Sequence, residues 1–190
     1  LVYVSSDAVY ADDTNPVTEN SPTVPSSLHG MMHMARELMF RKTVTCPVAL
    51  LRPSLIYGAD DPHGSYGPNR FRRQAAAGEP ITLFGSGEEH RDHVAVEDVA
   101  RLASLIVRHG SFGILNAVTG ISTSFIDIAT LVAAQFSPAA DIKFLPRDTA
   151  PSNPHRFFDI VQCLMAFPEF KYASIADGIA RVHHEIKGKE

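Results

Sequence analysis

The chain has 190 residues, with 17 Lys and Arg against 21 Asp and Glu, a net charge of −4, 45% hydrophobic and 20% charged residues. This is the composition of a soluble globular domain, and the mild acidity with scattered cations argues against a nucleic-acid groove. No apolar run approaches the roughly 20 residues that span a bilayer, and no signal peptide is read at the start. A cytoplasmic protein without a membrane partner is therefore expected. Cys46 and Cys163 form no CxxC or zinc pattern. Both sit among apolar neighbours and read as reduced core residues.

Strand and helix signals alternate along the chain. Residues 1–5 form a β-rich run that is already a strand in progress. Such a strand needs pairing neighbours, so a longer parent chain with an upstream segment is expected. Residues 11–27 are rich in Pro, Ser, Thr, Asn and Asp and read as a loop. Ser26 or Ser27 caps a helix running to about Lys42. Residues 47–51 are a continuous apolar strand stopped by Pro53, as in sheets buried on both faces. Residues 58–68 read as a long loop, followed by a helix through Ala77 that Gly78 ends. A short strand at 81–84 precedes the Gly85-Ser86-Gly87 turn, and 94–96 is another extended piece. Helical spacing of Val99, Leu102, Ala103 and Ile106 places a helix over 97–109, with Gly110 after it. A strand at 113–118, a helix at 124–136 and a strand at 142–145 follow. The tail, 174–187, is an amphipathic helix with Ile175, Ile179, Val182 and Ile186 on one face.

This order predicts an α/β fold, a doubly wound parallel sheet of Rossmann-like type, incomplete, with a small C-terminal substrate lobe. No G-x-G-x-x-G occurs, and no acidic residue follows one at ribose distance. Such a dinucleotide half needs on the order of 90 residues at roughly 30 per βαβ unit. The expected division is 1–135 for the Rossmann-like part, with lobe segments interleaved at about 58–98, and 136–190 for the lobe and terminal helix.

Several segments, in register, resemble the extended short-chain dehydrogenase/reductase family of NAD-dependent epimerases and dehydratases. Val4-Ser5-Ser6-Asp7-Ala8-Val9-Tyr10 is similar to its strand-end Ser/Thr motif before "VYG". Glu19, then 25–33 and Glu37, are similar to "tE…P.s.YG.sK…E". Leu51-Arg52-Pro53-Ser54-Leu55-Ile56-Tyr57-Gly58 is similar to "lRp..vyGp". Leu83 to Gly87, Arg91-Asp92 and Val96 to Ala100 are similar to "lfG.G…Rdf..V.DvA", and Asn116 to Gly120 to the "yNvg.g" strand.

The resemblance implies NAD or NADP as redox partner and a nucleotide-sugar substrate, with the glycine loop upstream of Leu1. Cofactor binding by these residues alone is then expected to be weak or absent. It implies that Ser6 holds a substrate oxygen and that Asp7 stands where dehydratase relatives carry an acid. Their partner glutamate is Ala8 here, which argues against a two-carboxylate dehydration. The resemblance puts His29 at the tyrosine position and His33 at the lysine position. Their i, i+4 spacing keeps both on one helix face. A histidine titrates near neutrality and serves as an acid or base without a lysine. Two neighbouring imidazolium groups repel, so at most one of the two is expected to be charged. The other reading is a relative that binds nucleotide or a partner without turnover.

Further expectations also follow from the resemblance. Ser5, His33, Pro53 and Ser54 meet the cofactor. Tyr57, Arg91 and Arg156 meet the substrate, the two guanidinium groups suiting bidentate bonds to a diphosphate. The usual substrate asparagine is Leu55, which weakens that contact. Asp98 reads as a helix N-terminal acid rather than a catalytic one. The pairs His29/His33 and His90/His93 have no adjacent Cys or paired carboxylate, so no metal is assigned. An open edge of a parallel sheet leads to the expectation of a homo-oligomer.

Overall fold

The computed structural model describes residues 1–62, 64, 66–147 and 155–189. Part of the expected 58–68 loop lies outside them. Three strands form a parallel sheet in the order β1 (Val2–Val4), β2 (Ala49–Pro53), β6 (Gly113–Ala117). Val2 faces Ala49, and Leu51 faces Leu115. Among the described residues β1 pairs on one side only, with β2.

Strand periodicity sends alternate residues to opposite faces. On one face, Ala49, Leu51, Leu115 and Ala117 pack against Val99, Leu102 and Ile106 of α3 (Val96–His109) and against Cys163 of α5 (Val161–Ala166). On the other, Tyr3 and Arg52 meet α1 (Leu28–Thr43) through Phe40, His33 and Glu37. Helices cover both faces, as the doubly wound reading predicts. Helix α1 begins where Ser27 accepts from the Gly30 N–H at 3.1 Å. Helix α3 ends on Gly110, left-handed at φ 62°.

Between β2 and β6 the chain leaves the main sheet. It forms β3 (Leu55–Tyr57), α2 (Pro68–Ala76), β4 (Ile81–Phe84) and β5 (His90–Ala95). After β6 it adds β7 (Ser122–Ser124), α4 (Phe125–Ala133) and β8 (Ile142–Leu145). Here β3 runs parallel and β7 antiparallel to β5, and β4 pairs in parallel with β8. The core of this layer joins Phe71, Ile81, Leu83, Phe125, Ile128 and Ile179, the last from α6 (Ile175–Lys187).

Several sequence expectations need correction. Strand β2 covers Ala49–Pro53 rather than 47–51, and Pro53 is its last residue, opposite Ala117. The extended piece is longer than 94–96: β5 starts at His90, and Val96 already belongs to α3. Strands β3 and β7 and the short α5 carry no periodic signal and were not expected. Cys163 is buried, but Cys46 is exposed, because it lies in the connection before β2. No helix among the described residues is long and apolar enough to cross a membrane.

Candidate functional site

Ligands of open parallel sheets bind outside the carboxyl ends of the strands. The cleft here lies in that place and holds about 390 Å³. Its walls include Ser5, Ser6 and Asp7 after β1, Pro53 and Ser54 at the end of β2, and His29 and His33 on α1. Seven of the residues expected from the sequence thus come together from three separate segments.

Each is positioned by local chemistry. Ser5 is buried, and its hydroxyl has no partner among the described residues. An orphaned buried hydroxyl lining a cleft is a place where a ligand atom restores the lost bond. Ser6 accepts from the Ala8 N–H at 3.2 Å and so caps a single 3-10 turn, Asp7–Val9. Arg156 reaches Asp7 from the distant C-terminal segment, with Nε at 3.4 Å from the carboxylate. Burial raises the Asp7 pKa above the ordinary carboxylate value, and Arg156 opposes that rise. Ser54 donates to Asp92 at 2.7 Å. Asp92 is 1% exposed and also accepts from the Thr119 N–H at 3.1 Å and its hydroxyl at 2.8 Å. It therefore ties the segments that follow β2 and β6 to the body of β5.

His29 and His33 stack edge to face with ring centroids 4.6 Å apart. Nδ1 of His33 lies 2.9 Å from the Tyr3 hydroxyl. Desolvation, then the neighbouring His29 and Arg36, lower the His33 pKa below its ordinary value. This direction favours the neutral imidazole of His33.

The remaining expected residues lie elsewhere. Tyr57 does not line the cleft. It is 1% exposed beneath α6, where its ring lies against Gly178, and burial pushes its phenol up to about 12. Arg91 donates to the His90 carbonyl at 2.9 Å and, like Arg156, sits in the charge cluster around Asp7 rather than on the cleft wall. Arg156 also donates to the carbonyls of Asp7 and Ala11 at 3.1 and 3.4 Å. Asp98 stands in the first turn of α3, accepting from Arg101 and the Ala173 N–H, both at 2.8 Å. Among the described residues no three His, Cys, Asp or Glu side chains converge as a metal site would require.

The cleft also contains Asn69, Asp61, Tyr66 and His93, which were not expected as site residues. Asn69 follows a Gly-Pro helix start, donates to Asp61 at 2.7 Å and accepts from the Gly58 N–H at 3.3 Å. His93 is next to Arg91-Asp92, and that adjacency was the available signal. Its Nδ1 is 3.2 Å from the Arg91 carbonyl, which fixes the proton there, and Nε2 has no partner among the described residues. Burial lowers its pKa from 6.5 to about 4.

That shift has a measurable consequence. Between pH 6.5 and about 4 the unfolded residue carries more protons than the folded one. Stability should therefore fall as pH falls through this window, by on the order of 3 kcal/mol from this group. The raised carboxyls of Asp7 and Asp92 contribute the opposite slope, equally in variant and parent. Urea unfolding of His93→Phe and the parent across the window should differ by a loss of acid sensitivity in the variant. Identical pH profiles would remove His93 as a buried neutral group.

The fold and the cleft define a Rossmann-like α/β protein. A sequence model of the NAD dependent epimerase/dehydratase family matches residues 1–117, and the chain belongs to that family. It is 29% identical over 139 residues to a UDP-glucose 4-epimerase of Mycolicibacterium smegmatis, covering 69% of this chain and 44% of that protein. It is 25% identical over 168 residues to a trifunctional UDP-glucose 4,6-dehydratase, epimerase and reductase of Arabidopsis thaliana, covering 83% of this chain and 25% of that one. Among solved structures it is similar to a UDP-N-acetylglucosamine 4-epimerase from Methanobrevibacter ruminantium, with TM-score 0.85 and 20% identity, over 100% of this chain and 63% of that one. A UDP-glucuronic acid 4-epimerase from Bacillus cereus, in complex with UDP-glucuronic acid and NAD, gives TM-score 0.84 and 22% identity, over 100% and 62%. The chain thus spans less than half of these curated relatives and under two thirds of these solved chains.

Proposed function

We propose that this chain forms the proton-transfer and sugar-binding part of an NAD(P)-dependent oxidoreductase or epimerase acting on a nucleotide-linked sugar. The observation that carries the reading is the meeting of Ser5, Ser6, Asp7, His29, His33, Pro53 and Ser54 in one cleft at the carboxyl ends of β1 and β2. When bound, a nicotinamide cofactor supplies the hydride acceptor. The residues here fit its nicotinamide end, where Ser5 offers an unpartnered hydroxyl and Pro53, Ser54 and His33 stand beside it. No glycine loop for its pyrophosphate lies within the 190 residues.

In this reading Ser6 holds the reacting sugar oxygen, and the His29/His33 pair receives its proton. A neutral His33 keeps the pair from carrying two charges, so one imidazole is free to accept. Asp7, held by Arg156, lines the same wall. Arg91 and Arg156 set a positive field behind it that suits a diphosphate. Tyr57, buried away from the cleft, supports the sugar lobe. In the same reading the lobe comprises the interleaved segments at about 58–98 together with 136–190. The protein is cytoplasmic and homo-oligomeric, without nucleic-acid or membrane partners. Exposed apolar side chains on α1, among them Met31, Leu38 and Met39, support the association.

A second reading has one specific observation behind it. No phenol and no ammonium stand at positions 29 and 33, as they would in the resembled motif. A relative that binds nucleotide without turning it over would tolerate that loss. Kinetics separate the two. In a protein that joins these residues to a glycine-loop segment, turnover of UDP-glucose with NAD should fall by about 10²-fold or more in His29→Phe, the usual contribution of a general base. Binding with no turnover in the parent would favour the second reading. An unchanged rate in the variant would remove His29 from the mechanism.

A further inference from the structure

The two cleft histidines are chemically alike, but their surroundings differ. His29 is exposed on the first turns of α1. His33 is partly buried, and its Nδ1 is engaged 2.9 Å from a phenol on β1. That phenol is held in place, since the Tyr3 ring lies 4.8 Å from the ring of Phe40, about two turns of α1 beyond His33. Tyr3 itself does not line the cleft, whereas His33 does.

We propose that Tyr3 is a positioning residue for the cleft. Its hydroxyl donates to Nδ1 of His33 and fixes the neutral imidazole with its single proton on Nε2. A phenol has one proton to give, and a neutral imidazole has one nitrogen to accept it and one to donate from. Which nitrogen carries the proton is decided by the bond that the other makes. With Nδ1 committed to Tyr3, Nε2–H is the only polar group His33 has left to offer. His33 therefore meets a ligand as a hydrogen-bond donor to an oxygen, such as a sugar or ribose hydroxyl. His29, with no such partner, is left as the group that accepts a proton. Two like residues are thereby given opposite roles by one side chain on the neighbouring strand.

The assignment rests on the sugar-site reading for its purpose but not for its test. Long-range ¹H–¹⁵N NMR of the histidine-labelled chain reads the tautomer directly on the free protein. Above its titration point, His33 should show a protonated Nε2 and a bare Nδ1. A proton on Nδ1 would overturn the proposal. The charged and titratable groups facing His33 are His29, Arg36 and Glu37 on α1 and Tyr3 on β1. Only the last is altered in Tyr3→Phe, which keeps the ring and its packing on Phe40. A phenol that donates to Nδ1 stabilises the neutral form, so its removal should raise the His33 titration point. One neutral hydrogen bond corresponds to about half a unit to one unit. The variant should also lose the strong preference for Nε2–H. A downward shift would mean that Nδ1–H donates to Tyr3. No shift would mean that the contact sets nothing, and either result defeats the assignment. Failure to bind a nucleotide-sugar in a separate titration bears on the proposed function alone.

Discussion

Glu37→Ala should lower the unfolding free energy by about 3–5 kcal/mol, the cost of removing one partner from a buried ion pair. Arg52 donates to Glu37 from Nε at 2.8 Å and from Nη2 at 2.5 Å, with side chains only 3% and 5% exposed. The guanidinium also lies 4.8 Å from the centre of the Tyr10 ring, and Tyr10 donates to Asn116 at 2.7 Å. Without the carboxylate, Arg52 is a desolvated charge with no counter-ion. The pair clamps the helix that carries His29 and His33 to the strand that ends in Pro53-Ser54. Loss of ligand binding should therefore accompany the loss of stability. The double replacement Glu37→Leu with Arg52→Met should recover most of the stability, because neither charge is then buried. Urea unfolding checks both. A single variant within 1 kcal/mol of the parent, on the order of an exposed pair, would show that the clamp is solvated.

Gly30→Ala should be the second large effect, and it acts on geometry more than on charge. A Cβ at this position overlaps the carbonyl oxygen of Ala8 and stands 2.8 Å from both the Ala8 carbonyl carbon and Pro25 Cβ. The obstacle is backbone, so no side-chain rotation relieves it. Helix α1 must move off the 3-10 turn that follows Ser6. Overpacking of this kind typically costs 1–3 kcal/mol. The displacement also parts His29 and His33 from Ser6 and Asp7, and a shift of about 1 Å in reacting groups costs on the order of 10²-fold in rate. Thermal unfolding of the chain, together with turnover by a protein that joins it to a glycine-loop segment, should show both losses. A variant with parent-like stability and rate would mean that α1 does not pack as closely on residues 6–8 as described.

These two positions show what the sequence makes legible. Gly30, Glu37 and Arg52 are visible as letters of a motif, but the motif does not say that one is a close approach and the others a clamp. Element order was readable because Ser27 and Gly110 mark helix ends and because residues 47–51 are apolar throughout. The short β3, β7 and α5 were not readable. Three to six residues are too few to establish a period, and β3 and β7 are held by pairing with β5. The cleft was largely legible, since motif residues from β1, α1 and β2 converge. What sequence spacing cannot reveal is long-range pairing. Arg156 reaches Asp7 across 149 positions, and Asp92 gathers Ser54 and Thr119 across 38 and 27. Tyr57 looked like a site residue because its motif is, yet strand alternation turns it under α6.

The central claim is that this cleft receives a nucleotide-linked sugar. Its most direct test is an amide and imidazole NMR titration of the chain with UDP-glucose at millimolar concentration. The account predicts that the shifts concentrate on Ser5, Ser6, Asp7, His29, His33, Ser54 and His93. Shifts confined to other surfaces, or none at all at that concentration, would contradict it.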